Sequence, residues 1–211
     1  MDILSIDKIK SAMQSGFRPG EQAHRLMMSY NRAIAKDARL FDPPPKESAV
    51  MFLIYLKNNQ PHTLFMERPE NQGVHSGQIS FPGGKREANE TLLETACRET
   101  CEEIGIDPSS FDLIGELSEL YIPPSHFIVQ PFIGFTERLP PLFPNPAEVK
   151  TVIEYPLHEL LSQNHLQRKK VFISRVNVEL EVPYFDIYGK TLWGATAMML
   201  AEFKMILENH S

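Results

Sequence analysis

Residues Gly77–Ile106 read GQISFPGGKREANETLLETACRETCEEIGI. The stretch opens as a glycine-rich turn and continues as a helix, expected over about Asn89–Ile104. Asn89 is placed to cap its start, and Gly105 stands where a left-handed residue ends a helix. At about 100° per residue, Glu99, Glu102 and Glu103 project within about 100° of one another. Leu93, Cys97, Cys101 and Ile104 fall on the opposite side, which predicts that the cysteine face is buried. Three like charges repel and raise one another's pKa. On an ordinary helix that pattern is a solvated acidic stripe. Beside a Gly-Gly turn it suits a hard divalent cation such as Mg²⁺ or Mn²⁺, which requires several oxygens. The turn lets the backbone come close and offer a carbonyl. The expectation is a divalent-metal site.

Working outward, Ser48–Leu56 is a continuous apolar run and reads as a buried strand. A polar turn follows, and His62–Arg68 returns as its hairpin partner. A short strand is expected near Ile79–Phe81. Downstream strands are expected at Phe111–Leu117, Phe127–Thr136 and Glu148–Tyr155, with Leu120–His126 as a loop. A proline-rich loop spans Leu139–Pro146. A short helix begins at Pro156, and Val171–Val178 with Val182–Ile187 suggests another hairpin. Trp193 opens a final amphipathic helix, where it is expected to pack in the core. Before the strands, Ile3, Ile6, Ile9 and Met13 recur at helical spacing, and a second helix is expected over about Glu21–Ala35, with Met27, Met28 and Tyr30 as packing residues. Asp42-Pro43-Pro44-Pro45 is a stiff connector. The predicted organisation is a helical extension over 1–45 and one α/β domain over 46–211.

Composition limits the function. Of 211 residues, 42% are apolar, and the formal net charge is −6. That charge repels nucleic acid, so an anionic substrate needs local cations or backbone donors. Two cysteines four residues apart form neither a disulfide framework nor a zinc pattern, which fits a cytoplasmic protein. The absence of a run of about 18 apolar residues argues against a membrane span.

The register carries the argument further. Gly84 is followed at fixed spacing by Glu90 and by Arg98-Glu99-Thr100-Cys101-Glu102-Glu103-Ile104-Gly105-Ile106. This resembles the Nudix box, G-x5-E-x7-R-E-U-x-E-E-x-G-U, with U a bulky apolar residue; Thr100 at a U position is the one departure. The resemblance implies a Nudix α/β/α sandwich with a mixed β-sheet, and hydrolysis of a nucleoside diphosphate linked to another group. It implies that Glu99, Glu102 and Glu103 hold the metal, with the Gly83 carbonyl as a further ligand. Gly84, Glu90 and Arg98 then support the site, with Arg98 orienting Glu99 and pairing with Glu90. Water attacks phosphorus with in-line displacement; Glu102 and Glu148 are the candidates for general base. Enzymes of the family are often homodimers.

Upstream of the box, Leu64, Arg68, Gly77 and Phe81-Pro82-Gly83-Gly84 fit the motif L-L-T-x-R-[SA]-x3-R-x3-G-x3-F-P-G-G of the coenzyme A pyrophosphatase branch. Met66, Pro69 and Gly73 depart from it, and Gly73 stands where a second arginine would clamp a phosphate. This resemblance implies Arg68, His75, Gly77, Gln78 and Ser80 as substrate-binding residues. It implies hydrolysis of CoA or acyl-CoA to 3′,5′-ADP and (acyl-)4′-phosphopantetheine. The alternatives are another Nudix substrate, such as ADP-ribose or a nucleoside triphosphate, and a nucleotide-binding module without turnover.

Overall fold

The computed structural model describes residues 4–30, 33–70, 76–163, 167–173 and 177–210. The centre is β1 (Lys46–Lys57), whose residues alternate between two faces. Met51, Leu53 and Tyr55 face one core, while Phe52 and Ile54 face the other. That period of two puts apolar side chains on both sides of one strand, which is why its sequence is a continuous apolar run.

The sheet has eight strands and is mixed. β1 runs parallel to β7 (Phe127–Thr136), from Lys46 opposite Phe127 to Tyr55 opposite Thr136. On its other edge β1 changes partners. Its late residues Ile54–Lys57 pair with β2 (Gln60–Glu67), whereas Ser48–Val50 pair with β4 (Gly83–Lys85). β2 continues to β3 (Ile79–Ser80) and to β8 (Thr151–Pro156). β5 (Asp112–Glu116) and β6 (Leu120–Ile122) both pair with β7. The glycine turn is thereby fixed to the early half of the central strand.

Helices cover both faces. On one lies α4 (Leu92–Ile104), against the cluster of Ala49, Met51, Leu53, Leu64 and Ile106. On the other lie α1 (Ile6–Gln14) and the last helix, Ala195–Asn209. These share a core with Phe52, Phe65, Phe81 and Ile133. The layers are α/β/α, as expected. The segment before β1 joins this core: Ile9, Ala12 and Met13 are buried in it.

Several local expectations are corrected. Glu21–Ala35 is not one helix. It forms α2 (Glu21–His24), a 3-10 turn over Arg25–Met27 and an extended residue at Met28, before α3 (Ala35–Ala38). Tertiary packing overrides propensity here, because His24 and Met27 are drawn under the last helix. α4 starts at Leu92 rather than Asn89. Thr91 caps it, accepting from Glu94 N at 3.2 Å, while the Glu94 carboxylate accepts from Thr91 N at 2.6 Å. Asn89 is left-handed instead, with φ 70°. Leu120–Ile122 is a strand, not a loop. β9 (Arg168–Ile173) pairs with β10 (Val178–Pro183), and β11 (Phe185–Ile187) with β12 (Lys190–Leu192), so the expected late hairpin is two shorter ones. The second turns at Tyr188-Gly189, both at positive φ, with Gly189 N bonded to Asp186 Oδ1 at 2.8 Å. Between β8 and β9 lies α5 (Leu157–Ser162), as expected, and the last helix is α6.

Candidate active site

α4 is rotated from the orientation the sequence suggested. Its buried face carries Ala96, Thr100, Glu103 and Ile104, while Cys97 is half-buried and Cys101 exposed. The cause is Glu103, which is directed inward between helix and sheet. Its Oε2 accepts from Gly83 N at 2.7 Å, and its Oε1 lies 3.3 Å from Arg68 Nη2. Thr100, at the position where the box carries an apolar residue, is fully buried and donates to Ala96 O at 2.6 Å. A hydroxyl satisfied within its own helix costs little there.

The glycine pair is required by close approach. A Cβ on Gly84 would lie 2.4 Å from the Glu99 carboxylate, and one on Gly83 would lie 2.3 Å from Ala49 O. Gly83 also has φ 153°, a conformation that side chains disfavour. The Gly83 carbonyl accepts from Arg68 Nη2 at 3.1 Å.

Arg98 organises the exposed side. Its Nε and Nη2 lie 3.0 and 2.9 Å from the two oxygens of Glu90, a bidentate pair. Nη1 is shared between Glu99 Oε1 and Glu102 Oε2, each at 2.9 Å, and Nη2 also reaches Lys85 O at 3.2 Å. Arg98 therefore ties the turn after β4 to α4. Its hydrogen bonds hold the Glu90 carboxyl down at about 2.

Glu148 arrives by a route that spacing does not show. The proline-rich loop takes up carbonyls at the C-terminal end of α4, with Phe143 N on Ile104 O at 2.9 Å and Asn145 N on Glu103 O at 2.8 Å. These are groups a helix end leaves without a partner. Gly105 permits the approach, since a Cβ there would meet Phe143 at 2.7 Å. Asn145 O then accepts from Glu148 N and Val149 N, turning the chain back toward the helix. Ligand oxygens of Glu99, Glu103 and Glu148 consequently lie within 4.8 Å of one another. Glu102 stands beside this group on Arg98 and is 56% exposed, against 1% for Glu103.

The electrostatics follow from the geometry. Burial pushes the Glu103 carboxyl up to about 7, against the pull of Arg68 and the Gly83 N–H, and Glu99 and Glu148 add to the rise. Glu99 is also raised, first by burial, with Arg98 opposing and Glu102 and Glu148 contributing. Three converging carboxylates at a glycine cradle fit a hard divalent cation.

Of the other expected residues, Arg68, Gln78 and Ser80 line a cavity of about 630 Å³ that begins at Gly83, Gly84 and Lys85. Gly77, at φ 65°, lines a neighbouring pocket with Gln78, Lys169 and Lys190. His75 and Gly73 lie outside the described residues. The larger cavity is walled mainly by apolar groups, among them Met27, Tyr30, Ile122, Trp193, Met198 and Met199. Trp193 is thus half-buried on the cavity wall rather than packed in the core, and Tyr30 is 43% exposed. Nothing local in the sequence signals these wall residues, because they come from distant parts of the chain.

A model of the NUDIX domain matches residues 45–176. The Nudix hydrolase NudL of Yersinia pestis, itself uncharacterized, is 29% identical over 161 residues, covering 76% of this chain and 79% of its own length. The NudL of Yersinia pseudotuberculosis shows the same identity and coverage. Among solved structures, a MutT/nudix family protein from Enterococcus faecalis aligns with TM-score 0.54 at 16% identity, over 98% of this chain and 76% of its own. RenU, a Nudix hydrolase from M. smegmatis, aligns with TM-score 0.52 at 14% identity, over 78% and 85%. At such identities these two speak for the fold, while the matched domain covers more than half of the chain and includes the glycine turn, α4 and the Glu148 loop. The chain therefore belongs to the NUDIX domain family, as a pyrophosphohydrolase of nucleoside diphosphate-linked substrates.

Proposed function

We propose that the protein hydrolyses CoA or acyl-CoA to 3′,5′-ADP and (acyl-)4′-phosphopantetheine, using Mg²⁺ or Mn²⁺. The observation that carries this reading is the cleft. It starts at the cationic, glycine-lined turn of Arg68, Gly83, Gly84 and Lys85 and extends into an apolar cavity. A substrate with a diphosphate at one end and a long, largely uncharged arm at the other matches that polarity. The upstream motif residues Leu64, Arg68, Gly77 and Phe81–Gly84 support the same branch.

In this reading Glu99, Glu103, Glu148 and the Gly83 carbonyl hold the cation. Bound there, it neutralises the diphosphate and makes a water more acidic. Arg68, 3.1 Å from the Gly83 carbonyl, is placed to pair with a phosphate oxygen as well. Glu102, held by Arg98 and open to solvent, accepts the proton of the attacking water. Water displaces one phosphate oxygen in line, and the phosphoanhydride opens with no covalent enzyme intermediate. Catalysis is positioning and charge neutralisation by groups already in place.

The test is a substrate panel with Mg²⁺ or Mn²⁺, read by mass spectrometry. Release of 3′,5′-ADP from CoA or an acyl-CoA is the expected result. Turnover of ADP-ribose or a nucleoside triphosphate with none of any CoA compound would replace the substrate. Nucleotide binding without metal-dependent hydrolysis of any diphosphate would replace the enzyme reading with a binding module.

A further inference from the structure

Part of the apolar wall of the cleft comes from outside the matched domain, which spans residues 45–176. Met27, Ser29 and Tyr30 come from the N-terminal segment, and Trp193, Met198 and Met199 from the approach to α6 and its first turns. One buried group holds these two pieces together. Glu202, on α6 and fully buried, accepts from Gly20 N at 3.2 Å and from Ser118 Oγ at 2.6 Å, and its Oε2 lies 2.9 Å from His24 Nε2. His24 directly precedes the 3-10 turn that carries Met27. The N-terminal segment is thus fixed to α6 at the level of the cavity.

Two hydroxyls beside this space stand without a partner among the described residues. Among the described residues, Ser80 Oγ and Ser125 Oγ are buried without a hydrogen-bond partner, and both residues line the cavity. Buried polar atoms are normally paired, and a ligand is one way to pair them. The methionines supply an adaptable surface suited to a flexible aliphatic chain rather than to one rigid ring.

We propose that Met27 and Tyr30 are specificity-determining residues, which wall the cleft and select substrates whose leaving arm carries an aliphatic chain. This rests on the cleft being the substrate site, and it extends that site to a segment outside the family domain. Tyr30 is the more informative position, because a side chain 43% exposed can be removed without opening the core.

The experiment uses decyl phosphate and methyl phosphate as probes with Mg²⁺ present, since a phosphomonoester offers no phosphoanhydride to hydrolyse, and takes the emission of the chain's single tryptophan as the signal. Trp193 lines the cavity, so its emission reports occupancy. In the wild type, decyl phosphate is expected to give a saturable shift and methyl phosphate none. Tyr30→Ala and Met27→Ala are each expected to weaken decyl phosphate about tenfold, the size of a truncated anchor side chain. A thermal melt shows whether Met27→Ala remains folded; if it does not, Tyr30→Ala decides alone. Absence of a saturable shift in the wild type, or unchanged affinity in folded Tyr30→Ala, overturns the proposal. Decyl phosphate capture that depends on Tyr30, with no turnover of any CoA compound, retains the wall and discards CoA as the substrate.

Discussion

At the scale of single residues, the site depends on two glycines whose missing side chains leave room for close approach, Gly83 for the backbone of β1 and Gly84 for a carboxylate. Gly84 leaves room for Glu99, whose carboxylate would stand 2.4 Å from any Cβ there. Gly84→Ala must displace Glu99 or the turn, and a misplacement of about 1 Å in such a site costs about a hundredfold in rate. The expected outcome is a loss of hydrolysis of that size or more, with little change in melting temperature, checked by steady-state kinetics beside a thermal melt. Glu99, Glu102 and Glu103 were legible from helical periodicity, and Glu90 and Arg98 from the resemblance to the Nudix box. Their division of labour was not. The angular positions of Glu102 and Glu103 on α4 differ by one residue, yet one is half-exposed on Arg98 and the other buried against Gly83. What separates them is the rotation of the helix against the sheet, and a helical wheel does not contain that angle.

At the scale of elements, Arg98 is the joint between the turn after β4 and α4. Its bond to Glu90 holds that carboxyl at about 2, below the ordinary 4.5. A depressed carboxylate contributes stability that is present above the unfolded pKa and lost as pH falls through the folded one. Arg98→Ala is therefore expected to lower the melting temperature at pH 7. The gap to the wild type should narrow as pH falls below about 4.5 toward 2. Melting curves across that range check it; a gap that stays constant would place the effect in lost packing instead. The main strands and α4 were legible because their apolar runs and Gly105 are local signals, whereas the start of α4 was read at Asn89 and the Thr91–Glu94 cap was missed. The turn at Tyr188-Gly189 carries no standard turn pair, and β6 was masked by Pro123-Pro124 close behind it. The N-terminal helix broke for a different reason, since burial of His24 and Met27 outweighed propensity.

At the scale of the molecule, the chain's two ends meet at Glu202 on the side of the sheet away from α4. His24→Ala removes one partner of a fully buried carboxylate, leaving Ser118 and Gly20. A hydrogen bond to a charged group contributes about 1.5 to 3 kcal/mol, so a loss in that range is expected from denaturant unfolding. Metal binding at the glycine turn should change little, because the hub lies across the sheet. None of the described helices is long and apolar enough to cross a membrane. A layered α/β arrangement was readable from strand runs mixed with helices, and the α/β/α sandwich from the Nudix resemblance, but the cleft was not. Its walls join residues from 27 to 199, and only the folded topology brings them together.

The long proline-rich loop is where sequence and structure differ most in consequence. Its contacts with Ile104 O and Glu103 O deliver Glu148 to Glu99 and Glu103, completing an oxygen site that α4 alone does not form. Manganese binding read by electron paramagnetic resonance tests this directly, in the wild type and in Glu148→Gln. Loss of one carboxylate from the group is expected to weaken Mn²⁺ at least about tenfold, as removal of a charged ligand does elsewhere. Glu148→Gln that binds Mn²⁺ as tightly as the wild type would contradict the site described above.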